Sequence, residues 1–253
     1  VASIGLWSAW AAALVLTLVP TSVSLTGIRL VAPGVPALTL WAVLHGLPAL
    51  TAGVALAGAV AACGVAFTAE VGQVFVQGSA YGEERRFPLR PPGPLLLGPL
   101  ELAWLVVAST VVAGPLLLAA KQWIAGVAVT ALAAVLVRGF ARRCHRLTRR
   151  FAVVLPAGVV IHDHVVLADT ALFRRATVAG VGLAPAGTEA ADLTGNALGL
   201  AVELRLVDTG TVVLAGTRTE QQGKAIHLRS AIFTPSRPGR VLVEAGRRGL
   251  TVG

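Results

Sequence analysis

The stretch VRGFARRCHRLTRRF, residues 137–151, divides this chain in two. Six arginines fall in it: Arg138, Arg142, Arg143, Arg146, Arg149 and Arg150. Before it lies an apolar run that suits lipid, and after it the chain becomes polar and strand-like. Basic residues flanking an apolar helix are retained on the cytoplasmic side of a membrane. The stretch therefore marks the point where a last transmembrane helix leaves the bilayer.

Composition agrees. Hydrophobic residues make up 55% of the 253 residues and charged residues 13%, against roughly 25% charged in an average soluble domain. Residues 1–150 hold eleven Lys/Arg against four Asp/Glu, and residues 151–253 hold ten against eight. The basic excess lies in the apolar half, which argues against nucleic acid as a partner, since a nucleic-acid binder concentrates charge on its soluble face. Two cysteines exclude a disulfide framework and a four-cysteine zinc site. Trp7 and Trp10 interrupt the first apolar run, so no cleavable signal peptide is expected.

About 20 residues of helix cross a hydrocarbon core about 30 Å thick. On that measure four spans are expected, at about 4–24, 48–69, 100–119 and 123–141. Residues 26–36 form a connection and 37–45 a short interfacial helix, or 37–69 forms one kinked helix. Small residues in the second span (Gly53, Ala57, Gly58, Ala61, Ala62, Gly64) suit close helix packing. Residues 70–99 form a polar, proline-rich loop, with no regular fold expected in its second half. The loop and the segment after span four share the more basic side, leaving Arg29 and Lys121 opposite. Both termini are accordingly expected in the cytoplasm, with the chain in a bacterial cell membrane. Trp7, Trp10 and Trp104 are expected near cytoplasmic ends, Trp41 and Trp123 near outer ends.

From Phe151 the period changes to that of strands. Residues 151–155, the turn Pro156-Ala157-Gly158 and residues 159–167 read as a β-hairpin. Further strands are expected at 177–183, 199–207, 211–216 and 225–233, with Asp208-Thr209-Gly210 a turn and 188–196 a loop. Ser236 is a candidate N-cap for a terminal helix over 240–248. The expected fold is thus a four-helix membrane domain over 1–150, then a small β-rich barrel or sandwich over 151–253 closed by a helix.

The turn at Pro156-Ala157-Gly158, the meander spacing and the terminal helix resemble the bacterial pleckstrin-homology-like domains. The resemblance covers about 151–250 and rests on element order. It implies a binding or assembly domain at a membrane and carries no catalytic residues over.

Several residue groups are candidates for chemistry. His162 and His164 share one strand face and are candidate metal ligands, with His227 or Asp169 as a third; no cofactor is otherwise implied. Glu70, His45 and above all Glu101 are ionisable groups beside apolar runs, where transport roles arise. The six arginines are candidates for anionic lipid headgroups or an acidic partner. Nucleotide, zinc-protease and serine-hydrolase motifs do not occur. The sequence therefore favours a non-enzymatic membrane scaffold or accessory subunit. A small transporter or channel subunit is the alternative. A membrane-embedded enzyme acting on a lipid, using Glu83, Glu84 or the His162-Asp163-His164 triplet, is the second.

Overall fold

A computed structural model describes residues 2–216 and 223–253. The chain forms two compact units. One comprises Val1–Gly72 and Leu96–His145, the other Gln73–Leu95 and Arg146–Gly253.

The first unit is helical. It contains α1 (Ala2–Leu18), α2 (Ser22–Val31), α3 (Gly34–Leu44), α4 (Ala49–Ala66), α7 (Pro99–Ala119) and most of α8 (Trp123–Thr148). Among the described residues, four helical segments are long and apolar enough to cross a membrane: Ser22–Leu44, Ala49–Ala66, Pro99–Ala119 and Trp123–Thr148. Their outer surfaces are apolar, with Leu50 83% and Ile124 90% exposed. Apolar surface on that scale needs a non-aqueous neighbour.

Residues 4–24 are not one helix. α1 ends at Leu18, and Thr21, in extended conformation beside Pro20, caps the next helix by accepting the Ser24 N–H at 3.1 Å. The expected connection at 26–36 is mostly helical, because α2 and α3 run almost without interruption through Pro33. α1 lies antiparallel to them. A Cβ on Gly5 would meet Leu38 at 3.0 Å, and one on Gly27 would meet Leu16 at 2.8 Å.

Cross-helix bonds fix which ends coincide. Arg29 donates from Nε to the Ala66 carbonyl oxygen at 3.2 Å, and its guanidinium lies over Phe67. Trp104 donates to the Leu30 carbonyl oxygen at 3.0 Å, and the Thr26 hydroxyl meets His145 Nδ1 at 3.1 Å. Arg29 therefore lies at the Ala66 end of the unit, not beside Lys121. Trp7 and Trp10 line an apolar hollow with Ala42 and Leu47, at the opposite end from Ala66.

The packing glycines are also not those expected. Gly53, Gly58 and Gly64 have open space where a Cβ would go, and α4 buries Ala52, Ala59 and Ala66 instead. Close approach occurs between α7 and α8. A Cβ on Gly114 would meet Thr130 Oγ1 at 2.5 Å, and one on Gly126 would meet the Leu118 amide nitrogen at 2.9 Å.

Among the described residues, the second unit holds two four-stranded sheets, short helical pieces and a C-terminal helix. One sheet has the order β1 (Arg85–Pro88), β2 (Phe151–Leu155), β3 (Gly158–His162), β4 (Ala171–Arg174). The other runs β5 (Val178–Leu183), β7 (Val202–Leu214), β8 (Lys224–Phe233), β6 (Ala191–Asp192). All pairings are antiparallel except β6 with β8. Both sheets and α9 (Pro238–Arg247) share one core, with Phe87, Val154, Ile161, Phe173, Leu204, Phe233 and Val241 in it.

The 70–99 segment is more ordered than its prolines imply. α5 (Ala69–Gln77) precedes β1, and α6 (Gly93–Leu96) follows it. Phe87 and Leu89 enter the core from this segment. β1 is a sheet edge, which leaves backbone polar groups in need of partners. Two amides one helical turn apart supply them: Gln77 Oε1 accepts the Arg86 N–H at 2.9 Å, and Gln73 Nε2 donates to the Arg86 carbonyl oxygen.

In the rest of the unit, the hairpin at 151–162 forms as expected, but its second strand stops at His162 and the chain turns. Asp208-Thr209-Gly210 is not a hairpin turn. It is an irregularity within β7, which stays paired with β8 on both sides of it. The cap of α9 is Arg237, not Ser236, whose N–H instead bonds the Pro88 carbonyl oxygen at 2.8 Å.

Candidate functional site

α8 continues through the arginine run to Thr148. Arg138, Arg142, Arg143, Arg146 and Arg149 are exposed. Arg150 departs from the expectation of a surface cation, being only 1% exposed. Its Nε and Nη2 bond the two oxygens of Asp163 at 2.8 and 2.7 Å. Nη1 donates to the Arg90 carbonyl oxygen at 2.8 Å, and Nη2 also to that of Thr194 at 3.1 Å. Asp163 Oδ1 accepts the Val165 N–H at 3.0 Å. Isolated buried charge is very costly, so both ions need these partners. The result joins four separate segments of the chain, and it removes Arg150 from any lipid-facing set.

His162 and His164 do come together, with ring centres 4.2 Å apart. His162 also stacks on Phe151 at 4.8 Å, and the Arg86 guanidinium lies 5.1 Å from the Phe151 ring centre. Burial, then His164, Arg149 and Arg86, pull the His162 pKa down to about 4 against the opposing pull of Asp163. His162 Nδ1 is bonded to Thr170 at 2.9 Å, and His227 is occupied with Thr211 at 2.9 Å. Among the described residues no three His, Cys, Asp or Glu side chains are grouped to hold a metal ion. The two histidines are thus part of a cation–aromatic ladder.

Glu101 is exposed in the first turn of α7, where Oε2 accepts the Gly98 N–H at 3.1 Å. That is an ordinary helix-end role, favourable beside the positive end of a helix. His45 sits at the end of α3, bonded to the Trp41 carbonyl oxygen at 2.8 Å and stacked on its ring. Glu70 begins α5. Glu84 pairs with Arg86 at 2.8 Å, and Glu83 with Arg248 at 2.9 Å.

A cleft of about 400 Å³ opens in the sheet-rich unit among α5, β1 and α9. Arg85, Arg240 and Arg247 line it with Gln73, Gln77 and Glu244. Glu244 is already engaged, by Arg248 at 3.0 Å and Arg247 at 3.7 Å. Among the described residues neither Arg85 nor Arg240 has an ion-pair partner. Nothing in the sequence pattern groups these positions, because the walls come from two segments some 150 residues apart.

Comparison with protein-family models, curated proteins and solved structures finds no match for the chain.

Proposed function

We propose that the protein is a non-enzymatic, multi-pass protein of a bacterial cell membrane whose sheet-rich unit is a cytoplasmic binding module. In this role it serves as a scaffold or accessory subunit. The observation that carries the proposal is the way the module is assembled. Its two chain segments, Gln73–Leu95 and Arg146–Gly253, flank the α7–α8 hairpin, and the Arg150–Asp163 pair with the Arg90 carbonyl seals them together. A hairpin that crosses and returns leaves both segments on one side of the bilayer. A module closed in this way is held at the membrane by its own strand order. The resemblance to bacterial pleckstrin-homology-like domains supports binding over catalysis, as do the two small sheets and the terminal helix.

Orientation follows from the basic residues. Arg29 joins Arg138, Arg142 and Arg143 at the Ala66 end, leaving Lys121 opposite, and the basic end is cytoplasmic. α1 is antiparallel to Ser22–Leu44, and its 17 residues are at the short limit for a span. If α1 also crosses, the N-terminus lies outside, not in the cytoplasm.

The binding role is tested by removing the module. In a chain ending after Arg149, with 73–95 replaced by a short linker, the helices should still insert. A partner that co-purifies with the full chain in gentle detergent should be lost. If nothing is lost from the pull-down, the reading fails.

A further inference from the structure

We propose that the cleft lined by Arg85, Arg240 and Arg247 binds a phosphate ester. Guanidinium groups match phosphate oxygens in planar, two-bond geometry, and this is where arginine is preferred over lysine. Two of the three, Arg85 and Arg240, have no acid to neutralise them among the described residues. Gly239 and Arg240 belong to the first turn of α9, a ten-residue helix. That turn adds the positive end of a helix to the same cleft. Gln73 closes the cleft wall without offering a contact, because its Nε2 is committed to Arg86 and its Oε1 is enclosed. The guanidinium groups therefore set the ligand class, a phosphate ester. Glu244 is the one opposing charge in the lining, and it is occupied by Arg248 and Arg247.

The same chemistry exists in a soluble phosphate ester and in an anionic lipid headgroup. Gln73 follows Ala66, the last residue of α4, by seven positions, so the chain tethers one wall of the cleft to the end of an apolar helix. The lipid source rests on the membrane-module reading above. The soluble source does not.

The experiment uses the full chain in a phosphate-free maltoside detergent. Glycerol 3-phosphate and inorganic phosphate are titrated by calorimetry against chloride at matched ionic strength. Retained phosphatidylglycerol is counted by native mass spectrometry. Each ligand is tested on wild type, R85Q/R240Q, R247Q and the exposed control R229Q. Losing a charge-assisted bond should weaken binding roughly tenfold or more. Saturable glycerol 3-phosphate binding that drops in the cleft variants but not in R229Q assigns a soluble ligand. Loss of retained phosphatidylglycerol in the same variants, without a soluble signal, assigns a lipid. If folded R85Q/R240Q and R247Q match wild type in both arms, the proposal is overturned, even where the chain proves to be membrane-anchored.

Discussion

Arg150 and Asp163 form a two-bond ion pair buried to 1% exposure on each side, across the segment where the helical part of the chain gives way to strands. Removing one partner leaves the other charged and enclosed, which costs about 3–5 kcal/mol. Arg150→Ala and Asp163→Ala should each lower the unfolding free energy of the detergent-solubilised protein by that amount. The double variant Arg150→Met/Asp163→Leu should recover much of it. Single variants that melt with wild type would mean the pair holds nothing together.

The α7–α8 hairpin depends on Gly114. Its missing Cβ is the space that Thr130 occupies. Gly114→Leu should cost about 1–3 kcal/mol through overpacking. Gly58→Leu should cost little, because nothing stands near that position. Folded yield and melting temperature in detergent compare the two, and equal losses would contradict the packing described.

His162 makes stability depend on pH. Its folded pKa of about 4 lies below the ordinary 6.5. Between those values the unfolded chain holds more protons, so stability rises with pH. The contribution is complete above about pH 6.5 and fades as pH falls through about 4. Labelled-histidine NMR should give an inflection near 4, and His162→Phe should flatten the stability slope over this window. An inflection near 6.5 would show the ring to be solvated.

The exposed arginines should act on lipid additively. Each basic residue near an anionic surface contributes about 1 kcal/mol. Arg142→Gln and Arg146→Gln should therefore each reduce enrichment of anionic lipid around the protein, as measured by lipid analysis of the purified sample. High salt should reduce it further. Unchanged lipid content would remove the arginines from that role.

The helices and the hairpin after Phe151 were legible because apolar run length and strand alternation report local burial. Three things were not. The break at Pro20 and the cap at Thr21 turned one expected span into two antiparallel segments, and run length alone is blind to that. β1 was hidden by its prolines, yet Pro88 ends an edge strand whose backbone is satisfied by Gln73 and Gln77. Arg150 looked like its five arginine neighbours, and only the fold brings Asp163 to it. Both the pair and the Arg85–Arg240 cleft are products of long-range pairing, which no local pattern encodes.

We propose that the sheet-rich unit lies on the side of a membrane opposite the Lys121 turn. Single cysteines at Lys121, Gly82 and Gly253, in a background with Cys63 and Cys144 replaced by serine, can be labelled with an impermeant maleimide in intact cells. The expected result is labelling at position 121 alone, with 82 and 253 reacting only after permeabilisation. Labelling of 121 and 253 together from the same side would contradict it.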